Sequence, residues 1–412
     1  MSPRDFQRAR KEAKDSSETE YSTLIYNHPY FPNLLVDTST SDSIITTAIT
    51  LLFSNPSSSL NGDSSVKESN YVSTQDVDLS KFEVTEVEGG ITNALFCISG
   101  FTSYNKPYSS ILLRIFGAEG MIDRDIETST FATLAQQELA PPYYGRFGNG
   151  RIEGYYEGAI PLSMNDLRDL DISKEIAVKL ANMHYEFCIP PSLGEYHDEK
   201  EPSLWGQLGS WIDQAMNIQQ YQTKEDDARA KEYYNLQRIQ QELKWLKADG
   251  IPAEAQGIVA FCHNDLLAAN ILKRTNGDIS LIDFEYGGVN YIAFDIANHF
   301  NEFCGGTSAE DNGVPDYTRF PSEEQQDLFL RTYLDVKRQY SSNGDDIVDA
   351  EEETILLLKE VKAYVLVNHL YWGLWAVNQA ATEGTSEFDY LEYAKNRFKR
   401  YFEEKLHIHS GK

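Results

Sequence analysis

Residues 261–303 read FCHNDLLAANILKRTNGDISLIDFEYGGVNYIAFDIANHFNEF, the most informative stretch of the chain. His263 and Asp265 stand near its start, Asn270 follows five residues after the aspartate, and Asp283 comes after two short apolar segments. These apolar segments predict strands that follow the loop carrying Asp265. A strand–loop–strand unit of this kind would bring two carboxylates and one amide close together in space.

Two carboxylates and an amide in this order suit phosphoryl transfer from ATP. The reaction needs a carboxylate beside the acceptor hydroxyl and oxygen ligands that hold Mg²⁺ on the phosphates. Asp265 suits the first role, whereas Asn270 and Asp283 offer the oxygen ligands that Mg²⁺ prefers and zinc does not. We therefore expect ATP and Mg²⁺ as cofactors. The competing interpretation is a charged surface turn beside a core histidine, and the segment Ile282–Phe284 at this distance argues against it.

The 412-residue chain has the composition of a folded protein, with 41% hydrophobic and 12% aromatic residues. Its formal net charge of −28 disfavours nucleic acid and anionic lipid surfaces as partners, and mildly favours a cationic substrate.

The four cysteines form no CxxC pair, which indicates a reducing compartment. Met1 to Glu20 lacks the apolar region of a secretory signal, and the apolar run Ile44 to Phe53 is too short for a membrane span. We therefore expect a soluble, cytoplasmic protein without stable membrane insertion.

The pattern of apolar residues divides the chain into an extension and two lobes. Residues 1–75 are predicted to form an N-terminal extension, with a short helix capped near Asp42 and a Ser-rich linker. Residues 76–158 have the pattern of strands with one helix, whereas residues 159–412 are mainly helical and include a predicted helix from Ala228 to Ala248. The predicted fold class is therefore α+β and bilobal, with a small β-rich N-lobe and a larger, mainly helical C-lobe. This layout, and the order of the loop residues, resemble those of protein kinases.

Further motifs resemble the choline/ethanolamine kinase family. Its members carry CHND, then NI, then IDxEYxxxNYxxxDIxNHFxE, and later FWGLW and EFxYxxYA blocks. In chain order, the matching segments of this sequence are Cys262–Asp265, Asn270–Ile271, Ile282–Tyr286, Asn290–Tyr291, Asp295–Ile296, Asn298–Glu302, Tyr371–Trp375 and Glu387–Ala394. The resemblance extends from about residue 76 to residue 404. It implies a protein-kinase-like fold and transfer of the γ-phosphate of ATP to a small amino alcohol.

The resemblance also implies nucleotide-binding roles for residues of the N-lobe. The matching positions are Gly89, Gly90, Asn93, Arg114, Ile152 and Gly154. The two glycines belong to a phosphate-covering turn, for which a plain hairpin turn is the alternative. Arg114 corresponds to the cationic anchor of the ATP phosphates, and Glu127 on the next helix is expected to pair with it. Ile152 and Gly154 lie in the segment that resembles the adenine-reading hinge.

The acceptor pocket is expected to recognise an alkylammonium group through carboxylates and aromatic faces. The positions that match the family are Asp265, Tyr286, Glu302, Trp372, Trp375, Tyr390 and Tyr393. Taken alone, Trp372 and Trp375 on an apolar helix would more often belong to a core than to a binding site. The resemblance implies that they face the substrate instead.

Several features are more similar to the ethanolamine kinases of the family than to its choline kinases. They are Leu266–Leu267, Asn298–Phe303 followed by Gly305, Ile122–Asp125 and Gly90–Asn93. The implied activity is conversion of ethanolamine to phosphoethanolamine, the first step of the CDP-ethanolamine route to phosphatidylethanolamine. Choline kinase stays an alternative, because the tryptophan pair is compatible with both amines.

Two interpretations from other classes also stay open at this point. Aminoglycoside-type or homoserine-type phosphotransferases share the HxDxxxxN and later aspartate, but they lack the WGLW and NHFxE blocks. A catalytically dead binding module would be expected to have lost Asp265, Asn270 or Asp283, and this sequence retains all three. The sequence does not decide whether the chain forms a homodimer or what residues 1–75 do.

Overall fold

The computed structural model describes residues 28–53, 77–87, 93–104, 106–117, 123–251, 257–308, 310–340 and 349–410. Its strands are β1 (Tyr30–Phe31), β2 (Glu83–Glu86), β3 (Asn93–Ser99), β4 (Ser110–Phe116), β5 (Tyr143–Phe147), β6 (Gly150–Gly154), β7 (Ile160–Pro161), β8 (Val259–Cys262), β9 (Ile271–Lys273), β10 (Ile279–Leu281) and β11 (Gly288–Tyr291). Its α-helices are α1 (Ser41–Phe53), α2 (Arg124–Gln136), α3 (Leu170–Glu186), α4 (Ser203–Met216), α5 (Lys224–Tyr233), α6 (Leu236–Trp245), α7 (Ile292–Glu302), α8 (Glu323–Gln339), α9 (Ala350–Thr382) and α10 (Tyr390–Ser410).

A six-stranded sheet forms the N-lobe, in the order β1-β5-β6-β4-β3-β2. Strand β1 runs parallel to β5, and the other neighbours are antiparallel. Because side chains alternate along a strand, Ile111, Leu113 and Ile115 of β4 lie in the apolar core of the lobe, whereas Arg114 points to the opposite face. From that face Arg114 reaches the C-lobe, where it contacts Asp283.

Helix α1 packs on the N-lobe sheet. Ile45 and Ile49 are buried in the same apolar cluster as Phe147 of β5, and β1 adds a strand to the edge of the sheet. Residues 30–31 and 41–53 therefore belong to the N-lobe, although the sequence analysis assigned them to an extension that ends at residue 75. The physical reason is that the apolar face of α1 needs a partner, and the spacing of its residues cannot indicate which surface supplies it.

The chain passes into the C-lobe between Gly154 and Ile160, where β7 pairs with β9. Strands β9 and β10 form a hairpin, and β8 pairs with β11. Helix α9 packs against α4, α7 and α10, so its second half is buried on all sides and forms the centre of the lobe. The loop after β8, the end of α7 and the middle of α9 thus converge on one region.

One predicted helix is divided in the structure. The sequence analysis predicted a single helix from Ala228 to Ala248, whereas α5 ends at Tyr233 and α6 begins at Leu236. Asn235 caps α6, because its side-chain oxygen accepts a hydrogen bond from the amide of Arg238 at 2.9 Å. The predicted α+β layout, with a small β-rich N-lobe and a larger, mainly helical C-lobe, is confirmed. None of the helices that the structure describes is long and apolar enough to cross a membrane.

Candidate active site

A buried carboxylate fixes the loop that follows β8. Asp295, in the first turn of α7, accepts hydrogen bonds from the backbone amides of His263 (2.8 Å) and Asn264 (2.7 Å) and lies 2.9 Å from Nε2 of His184. Burial alone would raise the pKa of Asp295, but its hydrogen bonds and the two histidines lower it. Asp295 therefore stays ionised and braces the loop, which presents Asp265 to the cleft.

Two residues of this region have a backbone conformation that is rare outside glycine. The φ angle is 64° at Asn264 and 62° at Asp283. The Asn264 side chain compensates by donating to the carbonyl of Tyr286 (2.9 Å) and accepting from Asn290 (2.8 Å). Strained backbone held by its surroundings is typical of functional sites. The hydrogen bonds of Asn264 tie the loop to the segment that follows Asp283.

Asp265, Asn270 and Asp283 line one cavity of about 530 Å³. The side-chain nitrogen of Asn270 donates to the carbonyl oxygen of Asp265 (2.9 Å) and to its carboxylate (3.2 Å). This bond orients the Asp265 carboxylate and leaves the amide oxygen of Asn270 as the atom that it can offer to a cation. The structure thus brings together the three residues that the sequence singled out.

The cavity is electrostatically negative around Asp265. Burial raises the pKa of this carboxyl well above its usual value, and the neighbouring carboxylates of Glu302, Asp283 and Glu285 raise it further. The hydrogen bond from Asn270 only partly opposes the shift. A cation bound beside these groups would relieve their repulsion, so the cavity is suited to positively charged ligands.

Asn270 and Asp283 fit a divalent metal ion of the magnesium type. Both offer oxygen atoms, and the Asp283 carboxylate, which lines the cavity, is 23% exposed. Mg²⁺ is held in phosphate-transferring enzymes by one or two such ligands together with substrate phosphates. The side chains present could therefore hold a magnesium ion against a polyphosphate.

The expected pair between Arg114 and Glu127 is not formed. Arg114 donates instead to Glu153 (2.8 Å) and contacts Asp283 (3.3 Å), while Glu127 pairs with Arg151. Arg151 also donates to Glu153 at 2.6 Å. Arg114 and Arg151 are directly opposite each other on β4 and β6, and Glu153 lies two residues further along the same face, so it bridges the two guanidinium groups.

Glu285 joins the two lobes at the mouth of the cleft. Its carboxylate accepts from the side chain of Asn93 and from Arg124, each at 3.2 Å. Asn93 in turn accepts a hydrogen bond from the amide of Gly117 at 3.4 Å. Of the predicted phosphate-covering turn, Asn93 therefore lies at the cleft, whereas the glycines at positions 89 and 90 fall outside the described residues.

The position of Ile152 differs from that expected for an adenine-reading residue. Ile152 is fully buried in the middle of β6, with β4 on one side and β5 on the other. Its backbone groups therefore face strand neighbours rather than a ligand. The amide of Gly154, at the end of β6, donates to the carbonyl of Pro142 at 2.7 Å. The segment that connects the lobes begins after Gly154.

Aromatic side chains and Glu302 form one wall of the cavity, called the aromatic wall below. The lining residues from this wall are Tyr286, Glu302, Trp372, Trp375 and Tyr393. The rings of Trp372 and Trp375 meet edge to face with centroids 5.4 Å apart, and the Trp375 indole donates to the hydroxyl of Tyr286 at 2.8 Å. Burial raises the pKa of Glu302 to about 7, although Arg397 opposes the shift.

Tyr390, the remaining predicted pocket residue, lies behind this wall. Its ring contacts that of Trp375 with centroids 5.5 Å apart, and its hydroxyl donates to Glu383 at 2.8 Å. Tyr390 is not among the residues that line the cavity. It supports the wall through Trp375.

Sequence reasoning missed several residues of the site. They are Arg124, Arg151, Glu153, Glu285, Asn298, Asn368 and Arg397, together with the cavity-lining segment 162–164. The alternation Arg151-Ile152-Glu153 could have indicated that Arg151 and Glu153 share one face of a strand. No local pattern distinguishes Arg397 from the other basic residues of α10.

The two lobes and the cleft between them define a kinase of the protein-kinase-like fold class. The choline/ethanolamine kinase family profile matches residues 84–402. Ethanolamine kinase 1 of Mus musculus is 34% identical over 77% of this chain and 83% of its own length. Probable choline kinase 3 of Arabidopsis thaliana is 33% identical over 79% of this chain and 87% of its own length.

Solved structures of this family confirm the predicted protein-kinase-like fold. The choline kinase of Cryptosporidium parvum aligns with a TM-score of 0.66 and 25% identity, covering 83% of this chain and 94% of that one. The ethanolamine kinase of Plasmodium vivax aligns with a TM-score of 0.65 and 24% identity, covering 78% and 83% respectively. The chain belongs to the choline/ethanolamine kinase family and is a phosphotransferase. The family predicted from the sequence is therefore confirmed.

Proposed function

We propose that this enzyme transfers the γ-phosphate of ATP to the hydroxyl of ethanolamine. The single observation that carries the proposal is the shared cavity: Asp265 lies in it together with Glu302 and the aromatic wall. A hydroxyl beside Asp265 and an ammonium beside Glu302 match the two ends of a small amino alcohol. The relatives' names support an amino alcohol as the acceptor, with both ethanolamine and choline among them.

In this proposal, Asp265 receives the hydroxyl proton while the substrate oxygen forms its bond to the γ-phosphorus and the bond from that phosphorus to the ADP oxygen breaks. Asn270 keeps the Asp265 carboxylate oriented towards the acceptor. A raised pKa suits a general base that works near neutral pH. When bound, Mg²⁺ would neutralise charge on the phosphates, and Asn270 and Asp283 would hold it.

The N-lobe contributes positive charge to the phosphates. Arg114 is oriented by Glu153, which also accepts from Arg151, so its guanidinium is fixed before any ligand binds. Arg124 lies nearby, 3.2 Å from Glu285. Preorganised charges of this kind stabilise a phosphoryl-transfer transition state without further rearrangement.

The preference for ethanolamine is supported by the carboxylate at the ammonium site. Glu302 lines the cavity, and a primary ammonium can donate hydrogen bonds to such a carboxylate. Choline is the second candidate, because the faces of Trp372 and Trp375 suit a quaternary ammonium that cannot donate.

The test is side-by-side turnover of ethanolamine and choline with Mg²⁺ and ATP, with the products identified by mass spectrometry. We expect phosphoethanolamine to be formed with the higher kcat/KM. A higher kcat/KM for choline would assign the enzyme to phosphocholine synthesis. Turnover of neither amine, with an aminoglycoside accepted instead, would overturn the proposed function.

A further inference from the structure

A buried arginine contacts residues of the aromatic wall from outside the cavity. The side chain of Arg397, on α10, is 1% exposed, and its Nη1 is 3.9 Å from Oε1 of Glu302 and 3.2 Å from the hydroxyl of Tyr393. Its Nη2 donates to the backbone carbonyl of Asn368 at 3.1 Å and to the side-chain oxygen of the same residue. Burying a guanidinium is costly unless it is held by such partners. Two of these partners, Glu302 and Tyr393, line the cavity.

A chain of hydrogen bonds continues from Arg397 to the aromatic wall. The side-chain nitrogen of Asn368 donates to Oδ1 of Asn298 at 2.7 Å. The same oxygen accepts from the indole nitrogen of Trp372 at 2.6 Å. Asn301 donates to Asn368 at 2.8 Å and completes the network, whose members are all buried. Arg397 is thus connected to a third cavity residue, Trp372, through two asparagines.

We propose that Arg397 is a positioning residue for amine recognition, which holds Glu302, Tyr393 and Trp372 in place around the ammonium site. The inference rests on the proposed function and deepens it. Arg397 does not line the cavity, so it acts through the residues that do. Its role is distinct from that of Arg114, which contacts Asp283 from the N-lobe.

Arg397 also sets the charge at the ammonium site. The titratable groups near Glu302 are Asp265 in the same cavity, Tyr393 from α10 and Cys304 from the following loop. Burial raises the pKa values of Tyr393 and Cys304 far above neutral, so neither of these two groups changes its charge near neutral pH. Arg397 lowers the pKa of Glu302 against the effect of burial. Loss of its charge would therefore shift amine binding to higher pH.

Two variants at position 397 and two elsewhere separate these effects. Arg397→Gln removes both the charge and the hydrogen bonds of the two guanidinium Nη atoms. Arg397→Lys keeps the charge but cannot form the same pair of hydrogen bonds. Asn368→Ala interrupts the path to Trp372 without changing any charge. Arg400→Gln is the matched control, because Arg400 is on the same helix but pairs with Glu404 at 2.7 Å, away from the cavity.

The measurement is steady-state kinetics with both amines from pH 6 to 9, together with the KM for ATP. Choline is the informative ligand for the pH profile, because its own charge does not titrate. We expect Arg397→Gln to raise the amine KM by about tenfold, the effect of losing one hydrogen bond to a charged group. The pH midpoint of the choline KM should rise as well, while kcat and the KM for ATP change little.

The other variants should separate the increase in the amine KM from the shift of the pH midpoint. Arg397→Lys should restore the pH midpoint without restoring the KM, and Asn368→Ala should raise the KM without moving the midpoint. Arg400→Gln should match the wild type. A folded Arg397→Gln enzyme with a wild-type amine KM and midpoint would overturn the inference. If that variant does not fold, a wild-type amine KM in both Arg397→Lys and Asn368→Ala would overturn it. A wild-type enzyme that phosphorylates neither amine would instead refute the proposed function, which separates the two failures.

Discussion

Replacing Glu302 with glutamine is expected to weaken the binding of ethanolamine more than that of choline. Glu302 is 5% exposed and lines the cavity together with Asp265. Glutamine has nearly the same shape but carries no charge. Ethanolamine would lose a charge-assisted hydrogen bond and an ionic attraction, whereas choline, which cannot donate a hydrogen bond, would lose only the attraction.

The size of the effect follows from the hydrogen bond and from the pKa of the group. A hydrogen bond to a charged partner contributes about 1.5–3 kcal/mol, which corresponds to a roughly 10- to 150-fold increase in the KM for ethanolamine. Because the pKa of Glu302 is about 7, this side chain is already neutral in half of the wild-type molecules at pH 7. The increase should therefore be about twofold smaller at pH 7 than at pH 8.5, where Glu302 is ionised.

The assay is the KM for each amine at both pH values, with Mg²⁺ and ATP saturating. Glu360→Gln provides the control, since burial also raises the pKa of Glu360 to about 7 but this residue is not among those that line the cavity. Equal increases in the two KM values would refute the hydrogen-bonding argument. Unchanged KM values for both amines would remove Glu302 from the ammonium site altogether.

Three further predictions concern the base, the metal and the N-lobe core. Asp265→Asn should lower kcat by roughly 10²- to 10⁴-fold with little change in the KM for ATP, and a near-normal kcat in steady-state assays would reject Asp265 as the base. Chelation of divalent metal should stop turnover, and added Mg²⁺ but not Zn²⁺ should restore it; full activity in metal-free enzyme would contradict this. Ile49→Ala should lower the free energy of unfolding in urea by about 2–5 kcal/mol, because Ile49 is buried in the N-lobe core. Thr46 is exposed on the same helix, so Thr46→Ala should change the free energy of unfolding little. If Ile49→Ala changed it as little as Thr46→Ala, α1 would lie outside the N-lobe core.

The catalytic loop could be predicted because its geometry is local. Asp265, Asn270 and Asp283 are positioned by one strand–loop–strand unit, so their spacing along the chain already determines that they meet. The same holds for Trp372 and Trp375, which are three residues apart on α9 and therefore share a face of the helix. In each of these cases, a short segment with a known period sets the relative positions of the side chains.

Contacts between distant elements could not be predicted in this way. The sequence suggested Glu127 as the partner of Arg114, but the register between β4 and β6 places Glu153 between Arg114 and Arg151. Similarly, the apolar face of α1 was recognisable, but not that it covers the N-lobe sheet. Which of several carboxylates meets a given arginine depends on strand pairing, and the sequence near the arginine does not contain that information.

Charge is divided between the two sides of the cleft. Arg114 and Arg124 come from the N-lobe, and they contact Asp283 and Glu285 of the C-lobe at 3.3 Å and 3.2 Å. Under the proposed function, a nucleotide phosphate would take the place of Asp283 beside Arg114, while a metal ion would take the place of Arg114 beside Asp283. Each charge would then exchange one partner for another of the same sign, so that no buried charge is left unpaired during binding. The ion pair between Arg114 and Asp283 could thus be replaced only when metal and phosphate bind together. Phosphate alone supplies a new partner for Arg114 only, and metal alone supplies one for Asp283 only.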